Sequence, residues 1–455
     1  MGRLGGKAVA KVGFISLGCP KNLVDTEVLI GLLQKAGHTI TADKSEAEVM
    51  VINTCSFIEA SKRESIDSIL EAAELKKTGS CRRLVVAGCL SERYPGEVQS
   101  ELGEVDAVIG TNQLEEIVHA VEGVPVPPPA GFGRSQADLY LYDHTTPRAA
   151  ATPPYTAYIK IAEGCDHTCA FCVIPKIRGP FRSRAIPSVV AEARGLAERG
   201  VREVTLVSQD TSSFGLDLGL RDGLALLLES LTRVEGIRWI RFLYVYPDMI
   251  SDRLVDLVSG QDRICKYIDM PLQHASARVL KLMRRGGSRA SLERLIGRIR
   301  SRIPGVTLRT TMLVGHPGET EEDFAELQRF CQDMEFDRLG VFAYSDEEDT
   351  LAHDLEGKVA RQTAGRRRRE LMAQQLRIAA RLNRRLRGQE FPILIEGPAE
   401  ESELLLQGRL ESQAPEIDGV CLINDSEAGP ARAGEFRVIR VTRALGHDLL
   451  GTLVR

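Results

Sequence analysis

Three cysteines lie within eight consecutive residues near the middle of the chain. The run from Cys165 through Cys169 to Cys172 has the spacing C-x3-C-x2-C, and it offers three thiols and no fourth. A four-iron cluster usually takes four cysteine thiolates, so three thiolates leave one iron able to bind another molecule. The spacing therefore predicts an iron–sulfur cluster with an open iron at which chemistry can be done.

A structural zinc site is the alternative interpretation of these thiols. Zinc in such sites takes four closed ligands, commonly from two well-separated cysteine pairs. Here His167 could serve as a fourth ligand, but it lies between two of the cysteines. The spacing favours the cluster, and a zinc-stabilised nucleic-acid-binding protein stays open as the non-enzymatic alternative.

Three more cysteines share a second pattern, because each follows a short apolar run typical of a buried strand. They are Cys19 after Val-Gly-Phe-Ile-Ser-Leu-Gly, Cys55 after Val-Met-Val-Ile-Asn-Thr, and Cys89 after Leu-Val-Val-Ala-Gly. Ligands of open α/β sheets bind beyond the carboxyl ends of the strands, so thiols at three such ends can converge. Any one of them alone could be a buried apolar residue. Their shared placement predicts a second three-thiol metal site.

Composition is that of an ordinary globular protein and bears on the state of the cysteines. Of 455 residues, 43% are hydrophobic and 27% are charged. The sequence shows no apolar leader and no run of eighteen uncharged apolar residues, so we expect no membrane segment and a cytoplasmic location. That compartment keeps thiols reduced, which makes metal ligation the leading explanation for clustered cysteines. The cysteines without shared placement are predicted to be structural: Cys81, Cys265, Cys331 and Cys421.

Strand and helix patterns divide the chain into five segments. The predicted fold class is α/β, with an N-terminal parallel α/β domain, a central open (β/α)6 half-barrel and a small C-terminal β-barrel of the oligonucleotide-binding (OB) kind. A proline-rich linker and a basic connecting helix separate these domains. The predicted limits are 10–125 for the N-terminal domain, 126–152 for the linker, 153–356 for the half-barrel, 357–388 for the helix and 389–455 for the C-terminal barrel.

Apolar runs predict the strands of the second and third domains. Six strand–helix units are three-quarters of a full eight-unit barrel, so one side stays open and can admit a large substrate. The six runs are Ala157–Ala162, Glu203–Val207, Trp239–Tyr244, Lys266–Met270, Thr307–Val314 and Leu339–Ala343. The strands predicted for the small barrel are Glu390–Glu396, Glu403–Leu410, Val420–Asn424, Glu435–Thr442 and Asp448–Leu453.

Loops at the carboxyl ends of the half-barrel strands carry polar and turn-forming residues. Loops in this position hold the active sites of such folds. Ser208 and Gln209 follow the second strand, Gln273 and His274 the fourth, and Gly315 the fifth. Each signal is weak alone, because Gln273 and His274 could equally cap the next helix and glycine serves in any tight turn.

Charge is distributed unevenly over the last hundred residues. Segment 358–388 has eleven Lys and Arg against one Glu, whereas segment 389–455 has twelve Asp and Glu against six Arg. The basic segment is predicted to be a solvated helix packed on the half-barrel, although its charge could also contact nucleic acid.

In this order the segments resemble the methylthiotransferase family of radical S-adenosylmethionine (SAM) enzymes over nearly the whole chain. The C-x3-C-x-aromatic-C loop, with Phe171 at the aromatic position, is the signature of radical SAM enzymes, and the second set of three cysteines makes the match specific. The matching stretches are Ser16–Asn22, Asn53–Ile58, Ala87–Leu90 and Ile161–Pro175. By this resemblance the C-terminal barrel is a TRAM domain.

Two features resemble the RimO-like branch of the family, which modifies an aspartate of ribosomal protein S-twelve in the small subunit. The run Cys-Pro-Lys-Asn-Leu-Val-Asp at Cys19 and the run Lys176–Arg184 look like that branch. The C-terminal barrel, with six net negative charges by the counts above, repels a phosphate backbone and complements a basic ribosomal protein. A transfer RNA adenosine methylthiotransferase stays open as the alternative, because it would share every cysteine.

The resemblance also implies the cofactors and the reaction. We call Cys19, Cys55 and Cys89 the N-terminal triad and Cys165, Cys169 and Cys172 the loop triad. Sulfur insertion at an unactivated carbon cannot use a general base, because that hydrogen is too weakly acidic, so a radical must remove it. Of two 4Fe–4S clusters, the one on the loop triad would bind SAM and generate the radical, and the one on the N-terminal triad would carry the sulfur. The substrate aspartate would become 3-methylthioaspartate.

Residue roles and partners follow from the same resemblance. Ribosomal protein S-twelve, free or within the small subunit, would be the partner, together with an electron donor and a sulfur donor of unknown identity. The residues expected near SAM are Phe171 at the adenine and Ser208, Gln209 and Gly315 at the methionyl and ribose parts. Gln273 and His274 are expected near the substrate.

Overall fold

The computed structural model describes residues 9–132, 139–400 and 402–454, and these form an α/β domain, a half-barrel and a small barrel in that order. Residues 133–138 of the predicted linker and residues 1–8 of the amino-terminal segment lie outside the described ranges. The predicted fold class is confirmed. Within the described ranges, no helix combines the length and the apolar character that crossing a bilayer requires.

A five-stranded sheet with every neighbouring pair parallel forms the N-terminal domain, in the order β2-β1-β3-β4-β5. Every residue of its central strand β3 is buried, as expected for a parallel strand covered on both faces. Its strands are β1 Lys11–Ser16, β2 Thr39–Thr41, β3 Val49–Thr54, β4 Arg83–Gly88 and β5 Ala107–Ile109. Its helices are α1 Pro20–Ala36, α2 Glu59–Thr78, α3 Cys89–Arg93, α4 Pro95–Glu101 and α5 Ile117–Glu122.

Six parallel strands in sequence order form the half-barrel. They lie in two sheets, β6-β9-β10 and β11-β12-β13, joined where Ile240 bridges to Ile264. A short antiparallel pair, β7 with β8, lies beside the first sheet. The strands are β6 Thr156–Lys160, β7 Ala162–Glu163, β8 Arg182–Ser183, β9 Glu203–Val207, β10 Trp239–Phe242, β11 Tyr267–Asp269, β12 Thr307–Val314 and β13 Arg338–Ala343. All six strands predicted for the half-barrel are present.

Amphipathic helices cover the outside of the half-barrel, and their apolar faces join its main core. The helix α12 begins with a capping box, in which Thr320 and Asp323 bond to each other's backbone N–H groups. The helices are α6 Ile174–Arg178, α7 Ile186–Glu198, α8 Gly223–Leu231, α9 Asp252–Gly260, α10 Ala277–Leu282, α11 Arg289–Arg302 and α12 Glu321–Met334.

The basic segment forms one long helix, α13 Arg361–Arg384, packed on β13 and α12. Several of its arginines are engaged by the half-barrel: Arg367 pairs with Glu319 at 2.9 Å, and Arg366 pairs with Glu321 at 2.7 Å. Leu371 and Ile378 on the same helix are buried. These contacts are those of a connecting helix, as the amphipathic pattern predicted.

A closed five-stranded barrel ends the chain, in the order β14-β15-β16-β18-β17. All five predicted strands are present, and only their ends differ from the prediction. The strands are β14 Glu390–Ala399, β15 Ser402–Leu410, β16 Cys421–Ser426, β17 Phe436–Leu445 and β18 Asp448–Leu453. Arg409 of this barrel forms a buried ion pair with Glu203 of β9, which fixes the barrel to the base of the half-barrel.

Candidate active site

The N-terminal triad lies where strands of the first sheet lead into helices. Cys19 is the N-cap of α1, Cys55 follows β3 directly, and Cys89 is the first residue of α3 immediately after β4. Because β1, β3 and β4 are adjacent and parallel, their carboxyl ends share one edge of the sheet. The structure thus brings the three thiols together at that edge.

Glycine precedes two of these cysteines because a larger residue would not fit. Gly18 has a φ of +91°, and a Cβ atom there would lie 2.8 Å from Cβ of Cys55. Gly88 has a φ of +95°, and its Cβ would lie 2.2 Å from Oδ1 of Asn53. Such left-handed backbone is accessible to glycine at little cost. The two glycines therefore permit the close approach of the strand ends that carry the thiols.

Two buried amides hold the same strand ends in place. The side-chain nitrogen of Asn22 donates to the backbone oxygen of Leu17 at 2.6 Å and to that of Thr54 at 3.2 Å. The side-chain nitrogen of Asn53 donates back to the backbone oxygen of Asn22 at 2.9 Å. Buried polar groups with these partners stabilise a single arrangement of the chain.

Burial disfavours free thiolates in the N-terminal triad. Burial raises the pKa of Cys55, and Cys19 raises it further. Burial also raises the pKa of Cys89 to about 12, with Arg178 acting against the rise and Cys55 and Cys19 adding to it. The three thiols are therefore within electrostatic range of one another. Ligation to a cationic iron centre supplies the positive charge that such thiolates need.

The loop triad follows β7 in a tightly wound turn. Gly164 has a φ of +82°, and a Cβ there would lie 2.1 Å from the backbone oxygen of Pro180, so glycine is required next to Cys165. The backbone N–H of Cys172 donates to the oxygen of Cys169 at 3.1 Å, which closes the turn. Burial raises the pKa of Cys165 and that of Cys172 to about 12, and in each case neighbouring thiols of the triad add to the rise.

In each triad, a different arginine contacts one of the thiols. Arg178 of α6 donates through Nη2 to Sγ of Cys89 at 3.2 Å, and Arg285 donates through Nη1 to Sγ of Cys169 at 3.5 Å. The Arg285 guanidinium also lies 4.3 Å from the ring centroid of Tyr246. Guanidinium groups beside thiolates offset negative charge and tune the reduction potential of a bound cluster.

His167 is engaged away from the thiols. Its Nε2 lies 2.6 Å from Oδ2 of Asp210, and its ring stacks on Tyr246 with centroids 3.9 Å apart. A histidine in these contacts is oriented by a carboxylate and an aromatic face rather than by a metal. The geometry therefore favours a three-thiol site over the zinc alternative that needed His167 as the fourth ligand.

Polar atoms without partners lie near the loop triad among the residues predicted to contact SAM. In the described part of the chain, the buried hydroxyl of Ser208 and the side-chain oxygen of Gln209 have no hydrogen-bond partner. The Gln209 side-chain nitrogen donates to Glu163, two residues before Cys165. Buried polar groups without partners are costly, so these two atoms fit a polar ligand.

Phe171 contacts His316, the residue that follows Gly315. The ring of Phe171 packs against Met283 and meets the His316 ring edge-on with centroids 6.5 Å apart. Gly315 has a φ of +79°, and a Cβ there would lie 2.4 Å from Cβ of Ala364. Packing against α13 thus accounts for this glycine without any ligand.

His274 has a structural contact of the kind that the helix-cap alternative expected. His274 is fully buried, and its Nδ1 accepts the backbone N–H of Ser276, the N-cap of α10, at 3.0 Å. Gln273 has a φ of +72° and bridges to Met312 of β12 through its backbone. Their predicted proximity to the substrate stays a prediction.

Lys21 lies within electrostatic range of a thiol of each triad, Cys19 in the first and Cys172 in the second. Lys21 follows Cys19 by two residues, and its charge lowers the pKa of Cys172, where burial and Cys169 act in the opposite direction. The Lys21 Nζ lies 3.5 Å from the centroid of the Tyr244 ring. The sequence predicted no role for either residue, although Lys21 is in the Cys19 motif and Tyr244 ends a predicted strand.

A buried charge network joins the segments that carry the two triads. The sequence did not predict this network. Lys160 of β6 pairs with Asp25 of α1 and with Glu163 of β7. Arg178 pairs with Asp25 at 2.7 Å and with Glu163 at 3.4 Å. Only the folded chain reveals this network, because its members are up to 153 residues apart in sequence.

The donor sets fit iron–sulfur clusters. Each triad has two thiols whose pKa burial raises, Cys55 and Cys89 in the first and Cys165 and Cys172 in the second, and each has an arginine at a thiol. Within residues 9–132, 139–400 and 402–454, no three His, Cys, Asp or Glu side chains are grouped to ligate a single metal ion. In a four-iron cluster, each cysteine ligates a different iron atom. The remaining cysteines are buried, as predicted: Cys81, Cys265, Cys331 and Cys421.

Three protein families match successive parts of the chain. The family described as Uncharacterized protein family UPF0004 matches residues 11–110. The Radical SAM superfamily matches residues 159–331, and the TRAM domain matches residues 388–454. The two cysteine triads fall in the first and second of these matches.

Similar proteins extend over nearly the whole chain. The ribosomal protein uS12 methylthiotransferase RimO of Solibacter usitatus is 53% identical over 446 residues, which cover 98% of this chain and 95% of that protein. The protein of the same name from Koribacter versatilis is 47% identical and covers 98% of this chain and 96% of its own length. A third, from Myxococcus xanthus, is 47% identical, with 97% and 91% covered.

Solved structures share the fold at low sequence identity. The radical S-adenosylmethionine methyltransferase TsrM from Kitasatospora setae, with cobalamin and a 4Fe–4S cluster bound, matches with a TM-score of 0.55 and 16% identity over 74% of this chain and 72% of that one. The cobalamin-dependent S-adenosylmethionine radical enzyme OxsB matches with a TM-score of 0.50 and 11% identity over 76% and 54%.

Proposed function

This chain belongs to the RimO family of ribosomal protein uS12 methylthiotransferases, and we therefore propose that it attaches a methylthio group to the β-carbon of an aspartate in uS12, the S-twelve protein of the small subunit. It is a radical SAM enzyme. The product is 3-methylthioaspartate. The observation that carries this proposal is that Lys21 lies within electrostatic range of a thiol in each of two three-thiol sites, because the reaction needs a radical source and a sulfur carrier at one carbon.

Each of the two triads is proposed to hold one 4Fe–4S cluster. The loop triad would hold a cluster that, with SAM, would supply the radical chemistry for breaking an unactivated C–H bond, and the N-terminal triad would hold a second cluster that would supply sulfur. Arg178 and Arg285 stabilise the thiolates at Cys89 and Cys169. The polar contacts of Asn22 and Asn53 hold together the strand ends that carry the N-terminal triad.

SAM contacts are assigned to the residues around the loop triad. The Ser208 hydroxyl and the Gln209 side-chain oxygen, both without partners among the described residues, support binding of the methionyl and ribose parts. The apolar position of Phe171 supports contact with the adenine. Gly315, whose neighbour His316 meets the Phe171 ring, is proposed to contact the methionyl or ribose part through its backbone. Gln273 and His274 are proposed to lie near the substrate.

The partners and location follow from the substrate. The chain acts in the cytoplasm on uS12, either free or within the small subunit, and it takes electrons from a separate donor. The proposed domain limits are 10–125 for the N-terminal domain, 153–356 for the half-barrel and 389–455 for the C-terminal barrel. The linker 126–152 and the basic helix 357–388 lie between them. The electronegative C-terminal barrel supports recognition of a basic protein surface.

Mass spectrometry of uS12 from cells that lack this chain tests the proposal. We expect the methylthio modification to be absent from uS12 in these cells and to return when the wild-type gene is restored. A gene in which Cys165 is replaced by alanine should fail to restore it, because the loop triad is then incomplete. An unchanged methylthio modification in the deleted cells would contradict the proposed function.

A further inference from the structure

Lys21 is a cation beside the N-terminal triad and within electrostatic range of Cys172 in the loop triad. It stands in the first turn of α1, two residues after Cys19, and its side chain is half-buried. Its closest partner is the ring of Tyr244, with Nζ 3.5 Å from the ring centroid. A cation over a tyrosine face is stabilised by the ring quadrupole, yet the ring does not neutralise it.

Tyr244 is held in place to support that contact. Its φ is +64°, which is uncommon for a residue other than glycine and is kept only where the surroundings enforce it. Its backbone N–H donates to Oδ2 of Asp269 at 3.0 Å, and its backbone oxygen accepts the N–H of Thr211 at 3.0 Å. These bonds direct the ring from the end of β10 toward α1.

Unlike Lys160 and Arg178, Lys21 forms no ion pair within the described part of the chain. Lys160 and Arg178 share Asp25 and Glu163 in buried ion pairs. Arg285 donates to Cys169 and to a backbone oxygen. Besides burial, the groups that act most strongly on Lys21 are Tyr244, Cys19 and Arg178, and no described carboxylate forms an ion pair with it. A cation withdrawn from water is favoured when an anion completes the site.

The proposed reaction brings a carboxylate to this place. The β-carbon of an aspartate is bonded to its side-chain carboxylate carbon, and that β-carbon must reach between the two triads. Resting on the proposed function, we propose that the Lys21 ammonium binds the side-chain carboxylate of the substrate aspartate, with Tyr244 positioning the ammonium. This contact selects an aspartate and aims its β-carbon at the gap between the clusters.

Binding measurements on the anaerobically reconstituted full-length enzyme test this inference. The enzyme, with SAM bound, is titrated with small subunits reconstituted with unmodified uS12 or with uS12 in which the target aspartate is replaced by asparagine. For the wild type we expect affinity for the asparagine form to be lower by at least about tenfold, as for the loss of one buried charge pair. Lys21→Met should bind the aspartate form with a similar loss and should no longer distinguish the two forms.

Two further variants separate substrate binding from other effects. Lys21→Arg keeps the charge and should retain the preference for aspartate, whereas Lys35→Met removes a lysine from the exposed far end of the same helix and should bind like the wild type. Iron and sulfide contents of every variant should equal those of the wild type. A Lys21→Met enzyme that still prefers aspartate, or one that has lost a cluster, overturns the inference. A wild-type enzyme that leaves uS12 unmodified instead overturns the proposed function.

Discussion

Single residues decide whether six thiols can hold two clusters. Gly18, Gly88 and Gly164 each adopt a positive φ beside a cysteine, and at each one a side chain would collide with a neighbouring strand or turn. Arg178 and Arg285 bring a positive charge to one thiol of each triad. The chemistry of the site thus depends on small residues for access and on arginines for charge.

Iron content of triad variants tests the two-cluster arrangement at the residue scale. The wild-type chain should hold about eight iron atoms, and replacing all three cysteines of either triad by alanine should leave about four. Cys81→Ala is the matched control, because this buried cysteine belongs to the same domain as Cys89 but to neither triad. Iron and acid-labile sulfide are measured after anaerobic reconstitution. A colourless wild-type protein that contains zinc would support the zinc alternative instead.

His274 should make the stability of the fold depend on pH. Burial lowers the pKa of His274 to about 3, and the nearby Asp323 opposes this only in part. An unfolded histidine has a pKa of about 6.5. Below that pH the unfolded state therefore binds a proton at this histidine, whereas the folded state leaves it unprotonated. This contribution to the free energy of unfolding is complete above about pH 6.5 and is lost as the pH falls toward 3.

The measurement is the free energy of unfolding at about pH 7 and about pH 5.5. His274→Gln should reduce the difference between the two values by about 1 kcal/mol, because glutamine does not titrate. His119→Gln serves as the control, since His119 is exposed and pairs with Glu116 at the surface. An equal pH dependence in His274→Gln and the wild type would show that the buried histidine is not responsible.

At the scale of elements, the charge network between α1 and the half-barrel aligns the triads. Asp25 of α1 accepts from Lys160 and from Arg178, and Arg178 in turn contacts Cys89. Arg148, in the segment before β6, adds buried ion pairs with Glu27 of α1 and with Glu192 of α7. The domains are thus joined by directional contacts, which set the spacing of the two sites.

Asp25→Asn should weaken this junction. It leaves two buried cations with one fewer carboxylate, and breaking one partner of a buried pair typically costs ~3 kcal/mol or more. We expect the free energy of unfolding to fall by about that amount and uS12 modification to slow, with SAM still bound. Asp67→Asn, at an exposed position on α2, should change stability by less than about 0.5 kcal/mol. Equal stability of the two variants would contradict the structural role of Asp25.

The same elements show what the sequence could predict and what it could not. All eleven strands expected in the second and third domains are present, because apolar runs and turn residues are local signals. The N-terminal triad was predictable since three cysteines follow three strands, and the order of parallel strands then brings them together. Lys21, Tyr244 and the partners of Asp25 were not, because their roles come from contacts between distant segments.

At the scale of the whole molecule, the distribution of charge favours a protein substrate over transfer RNA. The arginines of α13 that could have contacted nucleic acid include Arg366 and Arg367, and both form ion pairs with the half-barrel. The C-terminal barrel carries six net negative charges by sequence. A surface of this sign repels a phosphate backbone and attracts a basic protein, in agreement with the family.

One reaction tests the central claim most directly. The anaerobically reconstituted chain is incubated with SAM, a reductant, a sulfide source, unmodified small subunits and unmodified transfer RNA together, and both substrates are then analysed by mass spectrometry. We predict that one aspartate of uS12 gains a methylthio group at its β-carbon while adenosines in transfer RNA stay unmodified. A methylthio group on transfer RNA with none on uS12 would contradict the account.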